Sequence, residues 1–418
     1  MIDQINTKNI LKKIKTIKFL FAIFFISTAI AQVNVGNWSA LTCPLDIRDF
    51  VQIGDNTYCV TGGGLMSYNN GSTQTYTTVD GLYKVDLLSI SNDIYNNIWI
   101  GGKSPSGFVQ IYNIDQGNID IFDYGLTEIT EFWISDSIAF ASFIDGQDFG
   151  LIKWVYITGK WSYRDIYRNF PTDLESINGL KVINNTVFLA TNNGLLTADI
   201  SSNLKDPNNW VIAFNDVNGL ISALSEIDSG IVFNQDNSIY RIFHNSANFQ
   251  YEPMNIQTPV DFKEMIFDEN GYLWGINGSY VYSQKTNFVP IPTNKTLNNI
   301  IANDEGNIII GSELGLNIID KDSFSSTSYV PNAPVTAKFS AIKIMSDGRL
   351  IGASSKGLSI KDFYGWRNIL EIKSENTNVV HSNYNYSSFV ADTIDYDFGD
   401  AVSDIEEGPD GLIYCAIE

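Results

Sequence analysis

The chain has 418 residues, 44% of them hydrophobic, so it can bury a large core and is not a disordered tail. Only 17% of residues are charged, whereas 13% are aromatic and 32 are glycine, which favours sheets and tight turns over solvated helices. The formal charge of -21 disfavours nucleic acid as a partner, because a polyanion is bound by basic side chains that displace its counterions.

The first 31 residues differ in composition from the rest. Five lysines between Lys8 and Lys18 precede an apolar run over residues 19–26, and Ala29-Ile30-Ala31 gives a small-x-small cleavage pattern. The apolar stretch is shorter than the roughly 20 residues that span a bilayer, which favours a cleaved signal over an uncleaved membrane anchor. We therefore predict a signal peptide over 1–31 and an exported protein, in the periplasm or at the cell surface. Loss of the segment removes a net charge of +4, which leaves the mature chain near -25.

A repeat of about 42 residues dominates the remaining sequence. Small residues that open a strand after a tight turn recur at spacings of 43, 43, 44, 44, 41, 36 and 42. These anchors are Gly64, Gly107, Gly150, Gly194, Ser238, Ser279, Gly315 and Gly357. A short apolar strand is predicted before each anchor, over 58–61, 98–101, 139–142, 187–191, 231–234, 273–276, 308–311 and 350–353. Turns rich in Asp, Asn and Gly precede these strands, as a hairpin connection requires.

Each unit thus predicts strand, turn, strand, glycine turn, strand and a variable outer strand that often carries Trp or Tyr. Four short antiparallel strands in about 42 residues are typical of a β-propeller blade, whose faces are buried by neighbouring blades. Helical repeats would need long stretches with apolar residues at i, i+3, i+4 and i+7, and none occurs outside the signal. We predict an all-β propeller of seven or eight blades, with the strand around Trp38 completing the last one.

The C-terminal part departs from the period. A ninth unit starts at 402–405, turns at Pro409-Asp410-Gly411 and stops inside a strand over 412–417. Gly348 and Gly411 lie 63 residues apart, so about 20 extra residues fall around 374–399. We predict a propeller over 32–372, followed over 373–418 by a loop or linker and the start of a further blade or a second propeller.

Chemistry-bearing residues are sparse in this sequence. The two histidines, His244 and His381, stand alone, and no nucleophile motif or zinc spacing occurs, so we predict no enzyme and no catalytic residue. Gly102-Lys103-Ser104 resembles the end of a phosphate-binding loop but lacks its first glycine, which favours a turn between strands. Export permits a disulfide between Cys43 and Cys59, while buried thiols are the alternative.

Two further groups have a functional and a structural interpretation. Asp392, Asp395, Asp397 and Asp400 could hold calcium, but the EF-hand order is absent, which favours a solvated acidic loop. No other cofactor is predicted. Six tryptophans could stack against carbohydrate, but they recur at equivalent repeat positions, which favours packing within blades. They are Trp99, Trp154, Trp161, Trp210, Trp274 and Trp366.

The pattern Asp268-Glu269-Asn270-Gly271 before Leu273-Trp274-Gly275 resembles the two-component-regulator propeller repeat, D-x-x-G-x-[IL]-W-[IV]-G-T-x-x-G-[LI]. The match is degenerate, because Ser238 and Ser279 replace glycine. The N-terminal part is similar to the opening of the PorZ-like proteins of type IX secretion, at Trp38, 61–68, 79–82 and 117–120. That resemblance implies two propellers, a surface location, no catalytic motif and a supporting role in handing cargo and anionic lipopolysaccharide to a sortase.

Two functions follow as the main hypotheses, and a polysaccharide-acting enzyme on a propeller scaffold is a third. The first is an exported, non-enzymatic propeller that binds a protein partner or a surface glycan or lipopolysaccharide in type IX secretion, and that meets the membrane only indirectly. The alternative is the periplasmic propeller of a hybrid two-component regulator, which senses oligosaccharide.

Overall fold

The computed structural model describes residues 40–103, 105–227, 230–245, 248–303, 305–369, 401–409 and 411–417. The predicted signal peptide, Trp38 and the insertion around 374–399 lie outside these residues. The described residues from Thr42 onward belong to one compact unit. Helices in the described part are three short 3-10 turns, Thr78–Asp80, Pro207–Asn209 and Gln284–Thr286, and none has the length or apolar character to cross a membrane.

The strands form eight antiparallel four-stranded sheets and a two-stranded ninth, each built from consecutive strands. Sheet 1 contains β1 (Ile47–Ile53), β2 (Asn56–Thr61), β3 (Gly64–Asn69) and β4 (Ser72–Tyr76); sheet 2 contains β5 (Leu87–Asn92), β6 (Ile98–Gly102), β7 (Gly107–Asn113) and β8 (Gly117–Leu126). Sheet 3 contains β9 (Glu128–Ile134), β10 (Ile138–Asp145), β11 (Asp148–Ile157) and β12 (Lys160–Tyr167); sheet 4 contains β13 (Ile177–Ile183), β14 (Thr186–Thr191), β15 (Gly194–Asp199) and β16 (Val211–Ile212).

Sheet 5 contains β17 (Ala223–Ile227), β18 (Gly230–Gln235), β19 (Ser238–Asn245) and β20 (Asn248–Gln257); sheet 6 contains β21 (Glu264–Phe267), β22 (Leu273–Asn277), β23 (Tyr280–Ser283) and β24 (Ile291–Pro292). Sheet 7 contains β25 (Leu297–Ala302), β26 (Asn307–Ser312), β27 (Gly315–Asp320) and β28 (Ser326–Tyr329); sheet 8 contains β29 (Ala341–Ile344), β30 (Leu350–Ser354), β31 (Gly357–Asp362) and β32 (Gly365–Ile369). The ninth sheet contains β33 (Val402–Glu407) and β34 (Ile413–Ile417). All eight strands predicted before the anchors are second strands of these sheets, which confirms the propeller prediction.

The anchor glycines are needed because the third strand begins against the end of the fourth. At Gly64 a Cβ atom would lie 2.3 Å from the carbonyl oxygen of Tyr76, and at Gly315 it would lie 2.1 Å from that of Tyr329. Both glycines also have positive φ, at 127° and 79°, where L side chains are strained. The repeat therefore preserves glycine at a point of close backbone approach.

The turn before the anchor is fixed by a hydroxyl side chain. Thr61 Oγ1 accepts a hydrogen bond from the backbone N–H of Gly63 and donates to the carbonyl oxygen of Gly64. Thr191, Ser312 and Ser354 make the same pair of bonds in their own sheets. These local bonds satisfy backbone groups that the ladder leaves unpaired.

Seven of the sheets close into a ring. The first strands of successive sheets pack against one another from β1 to β25, and β1 also packs against β25 and β26. Ile47 and Met66 of sheet 1 share a buried cluster with Ile309 and Leu316 of sheet 7. Sheet 7 takes all four of its strands from between Leu297 and Tyr329, so the described ring closes without the segment around Trp38.

Sheet 8 packs against the ninth sheet through β29, β30 and β33. Ile351 and Ile360 of sheet 8 form a buried cluster with Val402 and Ile405 of the ninth sheet. Residues just before sheet 8 lie between it and sheet 7, because Val330 and Ala333 pack with Leu314. Asn368 Nδ2 donates to the carbonyl oxygen of Ala333, which fixes this connection to sheet 8.

The three cysteines are free thiols in this structure. Cys59 is buried in the cluster between sheets 1 and 7, whereas Cys43 packs with Leu45 near Leu314. The two side chains thus occupy different clusters, so the structure has free thiols, buried at Cys59 and half-buried at Cys43, and not the alternative Cys43–Cys59 bridge. Burial raises the pKa of the Cys59 thiol, which keeps it protonated.

Candidate functional site

We call the first strands of the ring sheets the axial strands, and five of the seven carry a β-bulge: β1, β5, β9, β13 and β25. Register shifts occur between Ile47 and Asp49 in β1, between Ile177 and Gly179 in β13, and between Leu297 and Asn299 in β25. A bulge re-aims its extra residue, and here that side chain donates a hydrogen bond to a carbonyl oxygen of the next sheet. The bonds run from Arg48 to Leu87 (2.7 Å), from Asn178 to Ile221 (2.9 Å) and from Asn298 to Ile47 (2.9 Å).

These bonds act as latches between neighbouring sheets. Ser89 of sheet 2 donates to the carbonyl oxygen of Ile129 in sheet 3, and Lys263 donates to that of Leu297. The bond from Asn298 to Ile47 joins the seventh sheet to the first and so completes the ring. The axial polar residues therefore have a structural role that accounts for much of their hydrogen bonding.

A second layer of axial side chains forms what we call the channel cluster: Asp49, Glu131, Lys181 and Glu264. Lys181 Nζ lies 2.7 Å from Glu131 Oε1, and their side chains keep 20% and 30% of their surface exposed. Burial lowers the pKa of Lys181, but Glu131, Glu264 and Glu226 outweigh it and raise the pKa, so the lysine stays charged. One ammonium group therefore faces carboxyl groups from several sheets.

Two carboxyl groups of this cluster, those of Glu264 and Asp49, have raised pKa values. Burial raises the pKa of Glu264 to about 8, and the neighbouring Glu131 carboxylate adds to the rise. Burial likewise raises the pKa of Asp49 to about 7, although the N–H groups of Ile90 and Phe50 donate to it and oppose the change. Charge in the channel cluster thus changes near neutral pH. No group of three or more His, Cys, Asp or Glu side chains in the described ranges is placed to hold a metal ion.

A cavity of about 600 Å³ lies between sheets 4 and 5, and we call it the cleft. Its walls come from the end of β13 and from β17, β18, β19 and β20. The strands β19 and β20 contain 8 and 10 residues, whereas the corresponding β27 and β28 of sheet 7 contain 6 and 4. The longer hairpin carries His244 and Phe249, which line the cleft.

The residues singled out in the sequence have these positions. Asp392, Asp395, Asp397 and Asp400 lie outside the described residues, as do His381 and Ser104. Gly102 ends β6 and Lys103 pairs with Glu128 at 3.0 Å, which confirms a turn between strands. Asp268 accepts bonds from the backbone N–H groups of Asn270 and Tyr272 and from Trp274 Nε1, so its hairpin role is confirmed.

The tryptophans in question are buried within or between sheets, which confirms the packing interpretation. Trp99, Trp154, Trp161, Trp210, Trp274 and Trp366 are all in the buried core. Trp99 and Trp161 both donate to Asp93 Oδ2, at 3.2 and 2.8 Å, so one buried carboxylate joins sheets 2 and 3. These rings offer no surface for carbohydrate stacking.

Sequence reasoning missed the axial latches and the channel cluster. Their signal is a polar pair ahead of several of the apolar second strands, as in Arg48-Asp49, Lys263-Glu264 and Asn298-Asn299. A polar pair inside an otherwise apolar strand could have indicated a bulge whose side chains leave the sheet.

No protein-family model matches the sequence, and no curated protein matches it. Among solved structures, the chain is similar to PorZ of Porphyromonas gingivalis, described as an essential bacterial surface component of the type-IX secretion system. The TM-score is 0.61 at 14% identity, over 91% of this chain and 57% of PorZ. The extracellular domain of the putative one component system BT4673 from B. thetaiotaomicron matches with a TM-score of 0.49 at 16% identity, over 92% of this chain and 52% of that one. This chain spans about half the length of both, and the likeness to PorZ shows a shared propeller fold.

Proposed function

We propose that the chain is an exported, non-enzymatic β-propeller that serves as a binding or scaffold component of type IX secretion and surface attachment. The observation that carries the proposal is the PorZ-like fold over 91% of the chain. The PorZ-like motifs at 61–68, 79–82 and 117–120 and the signal pattern over 1–31 support it further. Its partners on this proposal are a protein of the secretion machinery or a surface glycan or lipopolysaccharide.

The polar groups of the ring support a scaffold more than a catalyst. Arg48, Asn178 and Asn298 each donate a hydrogen bond to a backbone carbonyl oxygen at the next sheet. With those of Ser89 and Lys263, such bonds join five of the seven neighbouring pairs of sheets in the ring, which suits a rigid platform that presents loops to a partner.

Deletion of the gene in its native host tests the proposal. We expect secreted cargo to accumulate inside the cell and to be lost from the surface, with recovery when the full gene is supplied again. Normal cargo secretion and attachment in the deletion strain would contradict the proposal.

The alternative function, the sensing propeller of a hybrid two-component regulator, is favoured by the repeat around Trp274 and its bond to Asp268. The phenotype of the same deletion strain distinguishes the two functions. Loss of growth on one polysaccharide, with cargo secretion unchanged, would support the sensor. The gene sequence after Glu418 gives a second test, because the sensor requires a membrane helix and a kinase there.

A further inference from the structure

Buried amide side chains fasten two of the connections that lead from one sheet into the next. In sheet 2, Gln110 Nε2 donates to the carbonyl oxygen of Gly81, and its Oε1 accepts from the N–H of Tyr83. In sheet 8, Asn368 likewise donates to a carbonyl oxygen and accepts from an N–H of the connection before β29. The oxygen and the nitrogen of each amide therefore both have a partner.

Sheet 7 has a buried amide that is only half satisfied, Asn317 on β27. Asn317 is 2% exposed, and its Oδ1 accepts a hydrogen bond from Ser328 Oγ. Its Nδ2 has no hydrogen-bond partner among the residues that the structure describes. The connection over 293–296 is bonded to sheet 6 instead, because the N–H and the hydroxyl of Thr293 both donate to the carbonyl oxygen of Ser279. A buried donor without an acceptor indicates a bound water or ion.

An ammonium group lies beside the same serine hydroxyl. Lys295 is half-buried in this connection, and its Nζ lies 3.4 Å from Ser328 Oγ. Burial lowers the pKa of Lys295, and no charged group in the described part of the chain contributes to that shift. The ammonium group and the amide N–H group thus both lie next to Ser328 without a negative partner. Buried charges in proteins are normally paired, so this arrangement lacks an anion.

The two donors lie at the junction of sheets 6 and 7. Asn317 pairs with Ile310, and Ile310 packs against Trp274 of sheet 6, so the amide is on the face turned to that sheet. We propose that Asn317 and Lys295 bind a small inorganic anion, such as chloride, at this junction. A chloride ion accepts from both donors and balances the ammonium charge, whereas a water molecule would bring further donors to a point where donors are already in excess. The formal charge of -21 does not exclude an anion, because charges farther apart than roughly 8 Å are largely screened at physiological salt.

Crystals of the full chain grown with sodium bromide test the site directly, because bromide is close to chloride in size and gives an anomalous X-ray signal. We expect an anomalous peak within hydrogen-bond distance of Asn317 Nδ2 and in contact with Lys295 Nζ. A water molecule at that point, or an amide whose oxygen is turned toward it, would give no peak and would overturn the proposal.

Chloride should also stabilise the folded protein in solution, because an anion that binds only the folded state raises the melting temperature. Sodium gluconate, whose anion is too large for the site, is replaced by sodium chloride at constant ionic strength. We expect the melting temperature of the parent to rise by about 2 °C relative to that of Lys295→Gln. Lys338→Gln is the matched control, since Lys338 is exposed on the connection before β29, and it should respond as the parent does.

Asn317→Asp places a carboxylate where the anion would bind, at almost unchanged side-chain size. We expect this variant to lose the response to chloride and, in gluconate, to melt at or above the temperature of the parent, because the new carboxylate pairs with Lys295. Loss of the response is then distinct from loss of the fold. Equal responses to chloride in the parent, Lys295→Gln and Asn317→Asp would overturn the proposal. The inference is independent of the proposed role in secretion.

Discussion

Sheets 7 and 8 have nearly the same local structure, but they lie in different surroundings. Ile300 on β25 pairs with a residue two positions before the turn hydroxyl of Ser312, and Ile342 on β29 pairs with a residue two positions before Ser354. Ile300 is 2% exposed because it packs against Trp274 of sheet 6, whereas Ile342 is 62% exposed. Equivalent side chains thus differ in burial because, among the residues that the structure describes, only Ile300 has a preceding sheet packed on it.

The latch pattern repeats the same contrast. Asn298 of sheet 7 donates to Ile47 of sheet 1, whereas Ser340, just before sheet 8, donates to the carbonyl oxygen of Val402 at 2.6 Å. Sheet 7 therefore closes a ring, and sheet 8 begins a second series of latched sheets. A blade is defined locally, but its stability depends on having a partner on each face.

The largest expected effect comes from paired truncations at the two equivalent isoleucines. Ile300→Ala should lower the free energy of unfolding by about 2–5 kcal/mol, because it leaves a cavity between sheets 6 and 7. Ile342→Ala should change it by about 0.5 kcal/mol or less, because that side chain is mostly exposed. Equilibrium denaturation in urea measures both. An equal loss in the two variants would show that the preceding face of sheet 8 is covered.

A smaller effect is expected from the latches. Asn298 Nδ2 donates to both Ile47 and Asp46, so Asn298→Ala should cost about 1–3 kcal/mol and raise amide exchange in β1 and β25. Ser340→Ala should raise exchange chiefly in β33, with little change in the ring. If amide exchange increased over the whole chain in both variants, the ring and the series that begins with sheet 8 would not be latched separately, and the prediction would be wrong.

The sequence predicted the part of this architecture that local chemistry dictates. Gly64 and Gly315 are required by a close carbonyl oxygen, and Thr61 and Ser312 by their own turns, so each leaves a periodic signal. Ring closure leaves no such signal, because Ile47 and Asn298 meet across 251 positions. The sequence therefore did not decide between a ring of seven blades and a ring of eight. The channel cluster was missed for the same reason, since its charged groups come together only when the axial strands do.

The two series are also expected to differ in the pH dependence of their stability, because they contain carboxyl groups whose pKa values shift in opposite directions. Burial raises the pKa of Glu264 from 4.5 to about 8, so its protonation contributes stability that is complete below about pH 4.5 and is lost as pH rises through about 8. Glu407 accepts bonds from Ser346 that lower its pKa. Its contribution is therefore present above pH 4.5 and is lost as pH falls below that value.

We accordingly expect the melting temperature of the ring to fall between about pH 4.5 and pH 8, and β33 to lose protection from exchange below about pH 4.5. Glu264→Gln should make the fall in melting temperature with rising pH less steep but should not abolish it, because the pKa of the neighbouring Asp49 is about 7. Adding Asp49→Asn should remove the remainder, whereas the exposed Glu175→Gln should leave the slope as it was. A slope that is the same in the double variant and the parent would show that the channel cluster is not linked to folding. In that case burial within the ring would not make the pH dependence of its carboxyl groups differ from that of Glu407, which lies on the ninth sheet beside sheet 8.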